Sequence, residues 1–234
     1  MDSKIRLNSC PSVLQLRKNF GVSWLSMEKT ESKEKLEFMV RSTILDRPRL
    51  LVIDPEYIEF DDQDRVSEAP TRFLKTEVEA LRYGVKAIRG YRFRIGRVYC
   101  IDVRDVSGRV LKIRLKSVYR VRRKVLDEKY QAVVSALFRY YFHDMTRHYL
   151  QLLRAGQPVD LLGVSLTDQG VMFDEKVGRI SWNFLGSKRY WHYYTLYSEE
   201  APNNYRAFVF LDDWNSGVLR GLIEAMLKEK LSSR

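Results

Sequence analysis

The chain of 234 residues has few of the residues on which disulfide frameworks depend. It has two cysteines, Cys10 and Cys100, which do not make such a framework and are normal in a reducing compartment. No apolar run approaches the roughly 20 residues that span a bilayer. The first residues also lack the continuous apolar stretch of a secretory signal. We therefore expect no transmembrane segment and a cytoplasmic location.

Histidine is also scarce, and the three histidines form no metal-binding pattern. His143 and His148 are five residues apart on a predicted helix, where they do not share a face, and His192 lies in an aromatic strand. Neither the HExxH spacing nor a CxxC pair is present. GxSxG, GxGxxG and GxxxxGK[ST] motifs are absent as well. The sequence therefore predicts no catalytic residue, no metal ligand and no cofactor, which favours a non-enzymatic protein.

Positive charge is concentrated in one part of the chain. The net charge is +11, and residues 70–125 hold seventeen Lys and Arg against four Asp and Glu. Residues 157–234 hold nine bases and ten acids, so the excess belongs to the first segment. Such asymmetry indicates an anionic partner, namely nucleic acid, lipid headgroups or an acidic protein. A solvated basic surface without a partner stays open as the alternative.

Hydrophobic alternation predicts antiparallel strands in the first half of the chain. Leu36, Phe38 and Val40 alternate with charged residues, which is the period-2 signal of a half-buried strand. The same signal or a compact apolar run predicts strands over residues 50–53, 57–60, 80–88, 91–103 and 110–118. Tyr91 and Phe93 alternate with arginines, so we expect these two rings to face the core.

Each set of predicted strands is followed by one amphipathic helix. Apolar residues recur at steps of three and four between Asp127 and Ala155, and Gly156 ends this helix. A second such helix runs from Trp214 to Leu231. It follows strands predicted over residues 161–166, 171–173, 179–184, 190–197 and 205–211. The two halves therefore have the same order: a hairpin, further strands and a helix.

The second half contains the hairpin segment Gly170-Val-Met-Phe173 and the strand Ile180-Ser-Trp182. With the order of elements, these residues resemble the pleckstrin-homology (PH) superfamily, especially the bacterial PH-like domains that often occur in tandem. The resemblance covers residues 36–228. It implies an α+β fold of two tandem PH-like units, each a curved antiparallel sheet or partly open barrel closed by a C-terminal amphipathic helix.

The predicted domains are a basic PH-like unit over residues 35–156 and a near-neutral PH-like unit over residues 157–234. Residues 1–34 form an N-terminal extension with two interpretations. The residues before Met27 either do not belong to the natural protein, or they form an arm that docks on the body.

The basic residues of the first unit are the candidate binding site. The predicted strands carry eight candidate anion-binding residues: Lys86, Arg89, Arg92, Arg94, Arg97, Lys112, Arg114 and Lys116. If the strands pair as a hairpin about Gly108, Lys and Arg side chains from both share a face. Lys86 with Arg92-Phe-Arg94 is similar to the pattern of phosphoinositide-binding PH domains, although that family has the pattern in its first hairpin.

These observations predict a binding or scaffolding protein whose basic unit contacts an anionic membrane surface or an acidic protein, with peripheral membrane association as one consequence. Tyr190, Trp191 and Tyr193 are candidate interaction residues, including for self-association. A nucleic-acid-binding protein that uses the same strands is the alternative, and its affinity would fall with salt. An enzyme of unrecognised type is the third interpretation.

Overall fold

A computed structural model describes residues 34–41, 46–62, 69–119 and 121–232. All of them belong to one compact unit that spans residues 32–234. The predicted extension lies outside the described residues apart from Glu34, so both interpretations of residues 1–34 stay predictions. The division into domains at residue 156 also stays a prediction.

The first half contains two antiparallel sheets and a long helix. The first sheet has four strands: β1 (Leu36–Val40), β2 (Arg49–Ile53), β3 (Tyr57–Phe60) and β4 (Thr71–Leu74). A single 3-10 turn, Lys75–Glu77, leads to a three-stranded sheet: β5 (Val78–Arg89), β6 (Arg94–Asp105) and β7 (Val110–Val118). The helix comprises α1 (Arg123–Leu137), a π-helical turn (Phe138–Phe142) and α2 (His143–Arg154).

The second half repeats this order with shorter elements. Its four-stranded sheet has β8 (Val159–Leu161), β9 (Val164–Leu166), β10 (Gly170–Met172) and β11 (Ile180–Ser181). A 3-10 turn, Trp182–Phe184, again leads to a three-stranded sheet: β12 (Leu185–Arg189), β13 (Tyr193–Ser198) and β14 (Tyr205–Val209). The last element is α3 (Ser216–Ser232).

The predicted α+β class, with antiparallel sheets and two amphipathic helices, is confirmed. The alternation that predicted β7 matches its burial, because Leu111, Ile113 and Leu115 are buried while Lys112 and Lys116 are exposed. Over the described ranges the strands form four separate sheets, and none of them closes into a barrel.

The two halves pack against each other through their helices. Helix α2 contacts α3, and Gly217 in the first turn of α3 lies against the π-helical turn. A Cβ atom at Gly217 would lie 2.6 Å from Cζ of Phe138. A larger residue there would force the helix away from this ring, because interiors have no spare volume at such a contact.

A second junction joins β5 to the segment that follows β14. The Tyr83 N–H donates to the Phe210 carbonyl at 2.9 Å, and the two rings stack with centroids 5.6 Å apart. Asn215 completes the junction: its Oδ1 accepts from the Leu81 N–H at 3.0 Å and its Nδ2 donates to the Glu79 carbonyl at 3.2 Å. Asn215 has a φ of +62°, a left-handed conformation that Asn adopts more readily than most residues.

We expect Asn215→Ala to destabilise the protein by about 1–3 kcal/mol. The substitution removes two side-chain hydrogen bonds. It also places alanine, which has no polar side chain to support a left-handed conformation, at a positive φ. Urea unfolding measures the change. Asn203→Ala is the control, since Asn203 is exposed in a turn, and it should change stability by less than about 0.5 kcal/mol. Equal effects of the two substitutions would contradict the role of Asn215.

The turn between β6 and β7 is organised by the buried carboxylate of Asp105. This group accepts hydrogen bonds from the N–H and hydroxyl of Ser107 at 3.1 and 2.8 Å, and from the N–H and Nε of Arg109 at 2.8 Å each. Burial alone would raise the pKa of Asp105, but these hydrogen bonds and the charge of Arg109 outweigh burial and lower that pKa.

Since the folded-state pKa of Asp105 is lowered, its stabilisation is present above the ordinary value of 3.8 and is lost as the pH falls through the folded pKa. We expect Asp105→Asn to destabilise the protein by about 1–2 kcal/mol at neutral pH. The difference from wild type should shrink in acid, where the protonated carboxyl resembles the amide. Thermal unfolding across pH measures this effect, and exposed Asp168→Asn is the control. A difference that does not depend on pH would contradict it.

Candidate anion-binding surface

The register of the β5–β6–β7 sheet places four of the eight predicted basic residues on one face. We call this the outer face and define it by the row Lys86, Val98 and Lys116, which are direct cross-strand neighbours. Two further rows lie beside it: Gly84, Cys100 and Arg114, and then Arg82, Asp102 and Lys112. The predicted shared face therefore exists for Lys86, Lys112, Arg114 and Lys116.

A depression of about 380 Å³ opens on the outer face. Its lining residues are Arg82, Lys86, Val98, Cys100, Asp102, Arg114 and Lys116 from the sheet, with Leu211 and Asp212 from the second half. The short side chains of Val98 and Cys100 form its floor, and Leu211 packs over Gly84 at its side. Burial raises the pKa of the Cys100 thiol, which keeps it protonated.

Asp102 is the buried centre of this face, with about 1% of its surface exposed. Its carboxylate forms salt bridges to Arg82 at 2.9 Å and to Arg114 at 2.5 Å. Arg114 also donates to the carbonyls of Ile101 and Ile113 at 3.2 and 2.9 Å. Two arginines of the basic face are thus fixed by the fold. No local sequence pattern marks Asp102, because its role depends on strand register.

Arg82 has a second contact on its other side. Its guanidinium lies over the Trp214 ring at 4.4 Å, and that of Arg104 lies over the same ring at 4.7 Å. Arg104 is in turn paired with Glu79 at 3.0 Å. These contacts hold the segment before α3 against the outer side of β5.

Arg97 is not brought together with the other candidates. It lies on the opposite face of β6, with 16% of its side chain exposed, and pairs with Asp127 of α1 at 3.6 Å. The same carboxylate accepts from the Tyr99 hydroxyl at 2.7 Å. Burial and this hydrogen bond raise the pKa of Tyr99 to about 12. Arg94 is the first residue of β6, and its backbone lies opposite that of Arg89 in the β5–β6 ladder. The Arg94 side chain is outside the described part of the structure.

The expectation that Tyr91 and Phe93 face the core is wrong. They lie in the turn between β5 and β6, where the Gly90 N–H donates to the Phe93 carbonyl at 2.8 Å. Tyr91 is 96% exposed and Phe93 is 64% exposed. Residues 90–93 are not paired between β5 and β6. The alternation of buried and exposed side chains along a strand therefore does not apply to them. Arg89 and Arg92 are exposed at the same turn.

The segment after β7 lies beside this turn. The Tyr119 N–H donates to the Ile95 carbonyl at 2.9 Å, next to the start of β6. Four apolar side chains are exposed between the end of β7 and the first turn of α1: Val118, Tyr119, Val121 and Val125. Arg122 and Lys124 are exposed among them. We call residues 89–93, 118–119 and 121–125 together the sheet-end patch.

The backbone of the sheet-end patch is strained at two positions. Tyr119 has a φ of +50° and Arg122 a φ of +52°. A left-handed conformation costs residues of this kind roughly 1–2 kcal/mol each. Such strain persists only where the surroundings impose it, and it is often found at binding sites.

The second half has an equivalent turn one hundred residues later in the sequence. The Tyr190 N–H donates to the Tyr193 carbonyl at 2.8 Å, as Gly90 does to Phe93. The candidate interaction residues Tyr190, Trp191 and Tyr193 are therefore brought together here, and all three are exposed. The rings of Tyr190 and Tyr193 stack with centroids 4.5 Å apart.

The described part of the chain contains no group of three or more His, Cys, Asp or Glu side chains placed to hold a metal ion. Nor is any described helix long and apolar enough to cross a membrane. Comparison with known proteins found no matching family model, no matching curated protein and no matching solved structure.

Asp102→Asn should destabilise the protein by about 2 kcal/mol, because it leaves the guanidinium groups of Arg82 and Arg114 without their counter-charge. Urea unfolding measures the loss. Asp160→Asn removes an exposed carboxylate from β8 and is the matched control, with an expected change below about 0.5 kcal/mol. A neutral effect of Asp102→Asn would show that the two arginines do not need this carboxylate.

Proposed function

We propose that this chain is a non-enzymatic binding protein that docks on an anionic lipid surface through its sheet-end patch. The observation that carries the proposal is the exposure of aromatic and basic side chains together at one end of the β5–β6–β7 sheet. Tyr91, Phe93 and Tyr119 supply rings, and Arg89, Arg92, Arg122 and Lys124 supply charge.

This combination suits the interface of a membrane. Aromatic rings are favoured at the level of the lipid headgroups, where one side of the ring is apolar and the other is hydrated. Lys and Arg near an anionic leaflet contribute about 1 kcal/mol each. The long stems of these side chains also let the charge stay in water while the adjacent ring is immersed.

The magnitudes show that neither component is sufficient alone. Four cations supply about 4 kcal/mol, which corresponds to millimolar binding. Partial immersion of two aromatic rings adds about 2 kcal/mol each at roughly 25 cal/mol per Å². Together they reach the micromolar range before ordering costs are subtracted. We therefore expect reversible, salt-sensitive docking.

We also propose a more detailed description of the fold, which the order of the elements supports. Each half has a four-stranded meander, a 3-10 turn, a three-stranded meander and a helix, in that order. We propose that the halves are two PH-like units in tandem. Their positions relative to each other would then be fixed by the α2–α3 contact and by the junction at Asn215.

Nucleic acid is the competing partner, because the same cations could neutralise phosphates and the exposed rings could stack on bases. The two partners differ in measurable ways. Duplex DNA binding would not depend on the apolar residues Val121 and Val125, and its affinity would fall steeply with salt. Membrane docking would depend on the rings and would keep a salt-resistant component.

The test is co-sedimentation of the full chain with vesicles of phosphatidylcholine alone and with added phosphatidylserine. We expect binding only to the anionic vesicles, and we expect Tyr91→Ala/Phe93→Ala to weaken it about tenfold or more, which is about 1.4 kcal/mol. The matched control is Phe184→Ala/Tyr205→Ala, which removes two exposed rings from the second half. The control should bind like wild type.

Three results would contradict the proposal. Wild type could fail to bind the anionic vesicles, or the control could lose as much binding as Tyr91→Ala/Phe93→Ala. A parallel titration with single-stranded and duplex DNA supplies the third: if DNA binds more tightly than the anionic vesicles and through the same rings, nucleic acid replaces the membrane as the partner.

A further inference from the structure

The depression on the outer face has a built arrangement of charges that the sheet-end patch does not use. Its floor is made of the short residues Val98 and Cys100, and the lack of a side chain at Gly84 lets Leu211 pack on the β5 side. Leu211 forms a wall there, since a Cβ atom at Gly84 would lie 3.0 Å from the Leu211 Cβ. The space is about 380 Å³, and its charged lining suits a small anionic group rather than an apolar ligand.

Two lysines face each other across this space. Lys86 and Lys116 are both exposed and flank Val98 in one row of the sheet. Two strand spacings separate their backbones by roughly 10 Å. The four-carbon stems of lysine are long enough for both ammonium groups to converge on one anion between them.

Beside the floor of the depression, charged side chains are already held in positions that favour an anion. Asp102 holds Arg82 and Arg114 in place, and these three groups together carry one net positive charge. Arg114 is further fixed by the carbonyls of Ile101 and Ile113. A guanidinium that is already held in position loses little freedom when a ligand arrives, which favours binding.

The total charge selects the class of anion. Four cationic and two anionic side chains line the space, which is a formal charge of +2. A phosphate monoester carries about −1.5 to −2 at neutral pH, whereas a diester or a carboxylate carries −1. The monoester is therefore the best match to the depression.

We propose that this depression binds a phosphate monoester between Lys86 and Lys116, with Arg114 beneath it. The inference rests on the proposed membrane function, which it deepens by naming the headgroup chemistry. Lys116 is two residues from Val118 of the sheet-end patch, or roughly 7 Å along the strand. A headgroup could reach the depression while the patch is at the membrane surface, and a free phosphate monoester would fit the same site.

The test compares soluble and lipid-borne phosphate on the full chain. The soluble probes are glycerol phosphate, a monoester, and dimethyl phosphate, a diester, titrated by calorimetry. The vesicles contain either phosphatidic acid, which has a monoester phosphate, or phosphatidylserine at equal surface charge. The variant is Lys86→Gln/Lys116→Gln. The matched control is Lys112→Gln/Lys176→Gln, which removes the same charge from exposed lysines outside both the depression and the sheet-end patch.

We expect wild type to bind glycerol phosphate more tightly than dimethyl phosphate and to prefer phosphatidic acid over phosphatidylserine. Lys86→Gln/Lys116→Gln should weaken glycerol phosphate binding about tenfold and abolish the lipid preference. The control should keep both properties. Since all four lysines are exposed, unfolding curves of variant and control should match wild type.

The results separate the two proposals. Binding to phosphatidylserine vesicles through Tyr91 and Phe93, with no preference for a monoester, would overturn the inference and leave membrane docking intact. Glycerol phosphate binding without any vesicle binding would support the site, assign it to a soluble phosphate and overturn membrane docking. Equal losses in the variant and the control would also overturn the inference, because they would show that only total charge matters.

Discussion

Strand β5 is held on both of its edges, and this constraint determines which parts of the structure remain available for binding. On one edge it pairs with β6 along its whole length. On the other edge its first half is joined to the segment after β14, by Tyr83 with Phe210 and by Leu81 with Asn215. The second half of β5 extends beyond this junction and ends in the turn that exposes Tyr91 and Phe93. The junction thus fixes the scaffold from which the sheet-end patch projects.

The excess of positive charge in this segment has two different roles. Arg82, Arg97, Arg104, Arg109 and Arg114 are paired with acidic side chains and help to hold the sheet, the turns and α1 together. The second group consists of exposed cations. They are the lysines of the outer face and the basic residues of the sheet-end patch: Lys86, Lys112, Lys116, Arg89, Arg92, Arg122 and Lys124. A net charge counts both groups equally, although the paired arginines are partly neutralised and the second group supplies most of the charge that attracts a partner over the surface.

The sequence was sufficient for the elements whose signal is local. Strand β7 follows from strict alternation, and the long helix follows from apolar steps of three and four, although it begins at Arg123 rather than at Asp127. The turn at Tyr91 was missed because arginine and aromatic residues alternate through it as they would in a strand. The Gly90 hydrogen bond to Phe93 and the exposure of both rings show that these residues form a turn.

Features that depend on distant pairing could not be predicted. Asp102 becomes a buried counter-charge only because the register places Arg82 and Arg114 on either side of it. Asn215 lies 134 residues from Leu81, to which it bonds. The positive φ values of Tyr119 and Arg122 have no signal in the sequence, since neither residue is glycine. Arg82, Asp102 and Arg114 also line the depression, and Tyr119 and Arg122 belong to the sheet-end patch.

Docking through the sheet-end patch can be tested by hydrogen–deuterium exchange of the full chain, with and without vesicles of phosphatidylcholine and phosphatidylserine. We expect the vesicles to slow exchange at residues 90–93, 118–119 and 121–125, where the exposed rings and cations lie together. High salt should reduce this protection without abolishing it, because the rings contribute an apolar component. Protection confined to residues 157–232, or no change at the sheet-end patch when the vesicles are bound, would contradict docking through this patch.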